Sequence, residues 1–533
     1  MLVRMAMAER SAGSVGPRDE ADGRRAGFRE WLALGVLVLA VLLLAVDGTV
    51  LSLAVPALSA ALNPSATQLL WIGDVYSFAL AGLLVTMGSL ADRVGRKRLL
   101  LIGAAGFGLA SLLAAFAPTA GWLIIARALL GVAGATLMPS TLAIIRNLFT
   151  DARQRTTAIA VWVTAAVAGA AVGPLVGGAL LEHFWWGSVF LLNLPVMVVL
   201  VVAGAVLLPE SRDPHPGAFD LPSALLTVLT VVPLVYAVKQ AAIEGIGVAA
   251  VLAAVAGLAA GVAFVRRQRR LAVPLFDLGL FRVPAFTGAV VANMLSIGAL
   301  SGLLFFLSQY LQLVRGYGPL EAGLRQLPLT LASVAVTFLV GRIAARVGPG
   351  RTIGVGLLLS AAGLALLAAA EAASGYALLA AAMAAVGLGA GAAMTVTSDA
   401  VLSAVPPARA GAASAVSETA YELGVALGIA LLGSLHTALY QHALVLPPGV
   451  PEEGGARGSL ADAVALLPHL PPAAAEALLV AARSAFTRAM EVTSLVAAVL
   501  LAVAGALAWW MIPSRGDVDG ARPAGDDRAG AGS

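Results

Sequence analysis

The stretch Gly88-Ser89-Leu90-Ala91-Asp92-Arg93-Val94-Gly95-Arg96-Lys97-Arg98 is a cationic hinge between two long apolar runs, and a degenerate copy recurs from Gly341 to Arg351. The copy keeps glycine at 341 and 348, alanine at 344, Arg346, Val347 and Arg351, but carries Ala345 where the first has Asp92. A basic hinge repeated between hydrophobic runs implies two related halves in a membrane, which is how secondary transporters are commonly built. Composition leads to the same class. Of 533 residues, 60% are hydrophobic and 12% charged, with a mean hydropathy of +0.94, which excludes a soluble globule of average usage.

Taking glycine, proline and charge clusters as breaks, helices are predicted near 31–58, 70–90, 98–117, 121–146, 157–181, 188–208, 220–239, 246–265, 286–312, 320–344, 352–370, 375–404, 412–438 and 489–512. The chain therefore reads as all-α and integral to the membrane, with about 14 transmembrane helices. Two six-helix bundles, 31–208 and 284–512, leave an inserted helix pair at 219–266, and the hinge and its copy then fall after spans two and ten. Residues 1–30 and 513–533 read as disordered tails, the first lacking a small-residue cleavage site before the first apolar run. The segment 439–488 reads as an outer loop, where Pro447, Pro448 and Pro451 break structure before an alanine-rich stretch, Pro472 to Arg483. An amphipathic hairpin and a tolerated insertion without function both fit it.

Basic residues gather in the even-to-odd loops: Arg93 to Arg98, then Arg146, Arg153 and Arg155, Arg266 to Arg270, Arg342, Arg346 and Arg351, and Arg409. The odd-to-even loops hold little beyond Lys239 and Arg315. Because cytoplasmic loops retain positive charge, both termini are expected in the cytoplasm of a bacterial inner membrane. Scattered in this way, the basic residues are membrane-edge anchors and not a nucleic-acid patch. With no cysteine, dispersed histidines and no nucleophile–histidine or ligand cluster, neither an enzyme nor a metal site is expected, and no cofactor is called for.

A charge at mid-bilayer costs about 2.5–3.5 kcal/mol or more, so charged residues inside spans are candidates for function. Asp47 lies roughly 24 Å along the first span from Trp31. Asp74 lies near the outer end of the second, Arg127 in the fourth, and Glu418 and Glu422 in the thirteenth. At i, i+4 spacing the two glutamates point the same way, about 6 Å apart. Such a pair holds a proton or a positive ligand but pays heavily to hold both, and that exclusion is the thermodynamic core of antiport. Bland readings stand beside these: an Asp47–Arg127 structural pair, and an interfacial Asp74 reaching water at the outer leaflet. Gly169, Gly173, Gly177 and Gly178 around Pro174 suit close approach and bending of the fifth span, and Gly131 and Gly134 make a similar face on the fourth.

These residues resemble the major facilitator superfamily. Gly88, Asp92, Arg93, Gly95 and Arg96 resemble its loop 2–3 gating motif, Arg127 with Gly131 and Gly134 its span-four motif, and Gly169, Gly173, Pro174, Gly177 and Gly178 its span-five antiporter motif. Asp47-Gly48-Thr49, Trp71 to Tyr76, Trp186 to Pro195, Gln309 to Gln312 and Ser417 to Gly424 are similar to segments of the fourteen-span drug:proton antiporters, in particular the QacA/SmvA/LfrA-like multidrug efflux branch. The resemblance implies a major facilitator fold and makes Asp47, Asp74, Glu418 and Glu422 acids of coupling or cation recognition. It also makes Asp92 a lock on the cytoplasmic side, through Arg93 and Arg96 or a helix N-terminus. Ser52 stands where asparagine is usual and Leu130 where glutamine often stands. Span ten has no acid, so weaker handling of dications than of monovalent lipophilic cations is expected.

The expected activity is proton-coupled export of lipophilic cationic drugs, quaternary ammonium antiseptics and dyes by alternating access. The proton gradient drives it, and the partners are cations, protons and the lipid bilayer around a functional monomer, without nucleic acid. Trp71, Tyr76, Phe306, Tyr310 and Tyr421 are candidates to line the substrate cavity through cation–π contact. A dedicated exporter of one endogenous antibiotic or metabolite, and a non-transporting membrane receptor or scaffold, are the alternatives.

Overall fold

A computed structural model describes residues 26–212, 220–243, 245–271, 274, 278–371, 375–405, 410–451 and 455–513. Of the tails expected to be disordered, 1–25 and 514–533 lie outside the described residues, as do Arg409, Glu452, Glu453 and the side chain of Arg153, whereas Phe28 to Glu30 are helical and open the first span. The described chain is helical, in the order α1 (Phe28–Leu62), α2 (Ala66–Val94), α3 (Arg96–Ala115), α4 (Ala120–Leu148), α5 (Ala152–His183), α6 (Ser188–Leu191), α7 (Asn193–Leu207), α8 (Leu221–Ile243) and α9 (Val248–Arg270). It continues with α10 (Pro284–Gln309), α11 (Pro319–Arg325), α12 (Leu327–Val347), α13 (Pro349–Glu371), α14 (Tyr376–Ser403), α15 (Ala410–Ala443), α16 (Leu460–Leu466) and α17 (Pro472–Met511). Among the described residues, 13 helices are long and apolar enough to cross a bilayer, or 14 with α5 taken as one span.

Local chemistry sets the ends of these helices. Ser65 caps α2 by accepting from the Gln68 backbone at 3.2 Å, while the Gln68 side chain accepts from the Ser65 backbone at 3.0 Å. Thr119 and Asp151 cap α4 and α5 through their side-chain oxygens. The hinge and its copy turn alike: Gly95 ends α2 at φ 118° and Gly348 ends α12 at φ 97°, a region that side chains disfavour. The first hinge carries an ion pair, Arg96 to Asp92 at 2.7 Å, whose counterpart the copy cannot form because it has Ala345 and Pro349 at those positions. Glu210, just after α7, closes the first hinge by accepting from the backbone of Lys97 at 3.2 Å.

In the first half α1 packs on α5 and α7, and α4 on α2 and α3; in the second, α13 packs on α14 and α17, and α10 on α15 and α17. The span-five glycines let α5 lie against the α1 backbone. A Cβ at Gly169 would stand 2.9 Å from the Ala45 side chain, and one at Gly173 would overlap Thr49. Gly178 instead faces Pro319 and Leu320 of the second half, so the motif serves the seam between halves as well. The contacts across that seam lie away from the terminal side. Gly323 meets Pro174, the Gln312 side chain donates to the Leu53 carbonyl at 3.0 Å, and Gly433 meets Leu70.

The inserted pair sits on this seam. α8 packs against both α2 and α15, with α9 outside it, and Phe78, Val235, Ala426 and Ala430 form a small core where the three elements meet. At its base Arg267 pairs with Asp220 at 2.8 Å, and Ser223 bonds to the same carboxylate. Burial pushes the Asp220 carboxyl upward, but the bonds from Arg267 and Ser223 outweigh it and hold it below the usual range, so the clamp is intact at neutral pH.

The outer loop is not a separate hairpin, one of the two forms that its sequence fits. The alanine-rich stretch is the first part of the 40-residue α17, because nothing between Pro472 and Met511 breaks a helix. Leu460 and Ala463 of α16 are buried, and α16 touches both α17 and α1, so the loop joins the two halves on the side away from the termini.

If the α1–α5 contact depends on the missing Cβ, Gly173→Val should lower the thermal unfolding midpoint of the purified protein by several degrees. Gly35→Ala, with nothing within 4 Å of its Cβ position, should leave it nearly unchanged.

Candidate functional site

The charged residues singled out in spans one, two, four and thirteen fall, with Lys239 of α8, into two balanced pairs and one unbalanced pair. In the first half, Arg127 of α4 lies 3.3 Å from Asp47 of α1, both at 3% side-chain exposure or less. Its Nε donates to the Ile72 carbonyl at 3.1 Å, and its guanidinium sits 4.8 Å from the Tyr76 ring centroid. Asn193 of α7 donates to the other Asp47 oxygen at 2.8 Å and to Ser111 at 3.0 Å, so both carboxylate oxygens are held. The glycine face of α4 makes this geometry reachable, because Gly131 lies against the Tyr76 backbone and Gly134 against the Tyr76 hydroxyl. Beside the pair, Gly48 is exposed and has nothing within 4 Å of its Cβ position, so open space flanks α1 at this depth.

Asp74 is not interfacial. Its carboxylate is fully buried and lies 2.7 Å from Lys239 Nζ, whose side chain is likewise 0% exposed. Lys239 was expected at a loop edge, but Ala241 and Ile243 continue the helix beyond it and draw it into the span. Its ammonium also stands 4.0 Å from the Trp71 ring centroid, one turn before Asp74 on α2.

Glu418 and Glu422 form no ion pair among the described residues. α15 turns their face toward α2 because Gly424 and Gly428 on another face press against the α10 backbone at Met294 and Gly298. Glu422 is 7% exposed and bonds to the Ser77 side chain of α2, whereas Glu418, one turn nearer the terminal side, is only half-buried. Tyr421 is half-buried beside both glutamates.

The expected aromatic lining is only partly brought together. Tyr76 and Tyr421 flank the acids, and Trp71 is occupied by Lys239. Tyr310 is 0% exposed, its hydroxyl donating to the Glu371 carbonyl at 2.6 Å and accepting from Arg315 at 2.7 Å, so it is a packing residue of the second half. Phe306 stacks on His436 at 4.0 Å, away from the glutamates. The gating motif is assembled as Asp92–Arg96 across Gly95, and the span-five motif lines α1 and the seam. Sequence reasoning missed Asn193, Lys239, Ser77 and Glu371. Lys239 had a visible signal, being the sole charged residue between Leu221 and Ile243. Glu371, which accepts from Ser494 at 3.1 Å, sits at a span end where sequence suggests exposure.

The family profile of the Major Facilitator Superfamily matches residues 37–429. The chain is 50% identical over 485 residues to the multidrug efflux pump LfrA of Mycolicibacterium smegmatis, covering 91% of this chain and 96% of that protein. It is 38% identical over 464 residues to the methyl viologen resistance protein SmvA of Salmonella typhimurium, covering 86% and 93%. The fold is similar to the crystal structure of a bacterial homolog of the human lysosomal transporter Spinster, at a TM-score of 0.66 with 17% identity, covering 92% of this chain and 97% of that one.

Removing one partner of the Asp47–Arg127 pair leaves a buried charge uncompensated, which costs about 3–5 kcal/mol. Asp47→Asn should therefore destabilise the purified protein by that order, and Asp47→Asn combined with Arg127→Gln should recover more than half of the loss in the same denaturation measurement.

Proposed function

This chain belongs to the major facilitator superfamily, and on that premise we propose that it is a proton-coupled antiporter exporting lipophilic monovalent cations by alternating access. The observation that carries the reading is the unpaired couple Glu418 and Glu422 on α15, beside Tyr421 and opposite Ser77. Two carboxylates without a basic partner among the described residues are costly in a bilayer unless a proton or a cation neutralises them. The two neutralising species exclude each other, so loading one expels the other.

Loop charges orient the terminal side to the cytoplasm of a bacterial inner membrane. The described contacts between the halves lie on the opposite side, so this conformation would receive cargo from the cytoplasm. A cation displaces protons from the glutamates; the halves rock; protons entering from outside neutralise the acids and release the cation there. The Asp92–Arg96 pair stiffens the first hinge on the cytoplasmic side, and gating there would work through that hinge. Asp47 with Arg127 and Asn193 acts as a fixed charge arrangement that senses the same rearrangement through Tyr76, which lies beside both Arg127 and Glu422.

Tetraphenylphosphonium titrated into the purified protein should bind more weakly at about pH 6 than at about pH 9, because protons compete for the glutamates. Glu422→Gln should flatten that dependence and abolish cation-driven proton release in proteoliposomes while leaving membrane insertion intact. Equal affinity at both pH values in the wild type would end this reading.

A further inference from the structure

The inserted pair has no part in that scheme, yet α8 places its single charged residue at the heart of the molecule. Lys239 Nζ lies 2.7 Å from Asp74 Oδ2, with both side chains 0% exposed, and 4.0 Å from the Trp71 ring centroid. The ammonium has no further hydrogen-bond acceptor among the described residues. Where α2, α8 and α15 meet, Phe78, Val235, Ala426 and Ala430 form an apolar core. The neighbouring charges are Arg127, which reaches the α2 backbone at Ile72, and Glu422, which meets Ser77 one turn along α2 from Asp74.

A buried lysine whose only anion among the described residues is Asp74 occupies the position that an exported cation or a proton would otherwise take at that carboxylate. A purely structural role explains the pair poorly, since two charges brought into an apolar site gain little over a packed neutral pair. We propose that Lys239 is a resident counter-cation and a specificity-determining residue. It withdraws Asp74 from cargo and proton traffic, leaves the α15 glutamates as the free negative charge, and so restricts the cavity to monovalent cations. This inference rests on the reading of the glutamates as the cation site, and it gives the inserted pair a role in selecting cargo charge.

The test compares affinities of the purified full-length protein for a monovalent probe, tetraphenylphosphonium, and a divalent one, propidium. Measured at about pH 9, where few protons compete for the freed Asp74 carboxylate, Lys239→Gln adds one negative charge, so it should raise the propidium-to-tetraphenylphosphonium affinity ratio on the order of tenfold, the effect of one added charge at roughly 10 Å and an effective dielectric of about 20. Asp74→Asn leaves the ammonium uncompensated and should lower the same ratio. Lys239→Gln combined with Asp74→Asn should return it to within about threefold of wild type, and Lys239→Arg should leave it there.

An unchanged ratio in Lys239→Gln and Asp74→Asn, with tetraphenylphosphonium still bound, overturns the inference without touching the glutamate site. So does a shift that persists in the double variant. If Lys239→Gln does not survive purification, Asp74→Asn decides: a lowered ratio supports the inference and an unchanged one overturns it. Wild-type protein that binds neither probe overturns the functional reading and this inference with it.

Discussion

A charge held in hydrocarbon must find its opposite within a few ångströms, and much of this molecule is arranged by that requirement. Asp47 finds Arg127 and Asn193, and Asp74 finds Lys239. These partners come from different helices, so each pair ties elements together: α1 to α4 and α7, and α2 to the inserted α8. The two glutamates of α15, and Glu371 at the end of α13, have a hydroxyl as neighbour and no base among the described residues. Where compensation is incomplete, an external cation or proton has something to gain by entering. The site is therefore defined less by which acids are present than by which of them are already neutralised.

The duplicated architecture makes the asymmetry informative. Gly95 and Gly348 hold the same unusual backbone at equivalent places, so the geometry of the turn survives in both halves. The ion pair survives in one only, since Ala345 and Pro349 replace Asp92 and Arg96. Backbone shape at the two hinges is a requirement of the repeated fold, whereas the charged contact belongs to the first hinge alone. The same division holds in the bundles. Glycines bring α5 onto α1 in the first half and α15 onto α10 in the second, but Asp47 finds its base within the first bundle, Asp74 takes one from the inserted α8, and Glu418 and Glu422 have none among the described residues.

Close backbone approach links packing to charge. Gly131 and Gly134 let Tyr76 reach the Arg127 guanidinium, and Gly424 and Gly428 fix the rotation of α15 that turns Glu422 toward Ser77. A helix interface built on small residues has few alternative registers, because a shift would press backbone against side chains. Positions of the charged groups are thus set by contacts made on other faces of the helices that carry them.

Hydropathy, the repeated hinge and the charged residues inside apolar runs were readable along the chain, since each depends on local composition and spacing: the spans, the two related halves, and Asp47, Arg127, Glu418 and Glu422 as charges in the membrane. Partnership was not. Asp74 and Lys239 are far apart in sequence, and Lys239 looked like a span-edge residue because the helix end was read at its charge; only the wedge of α8 between α2 and α15 brings the two together. The same holds for Tyr310, whose aromatic ring suggests a cavity lining until packing turns it into the second half. Composition decides what must be buried in lipid, whereas long-range packing decides what it is buried against.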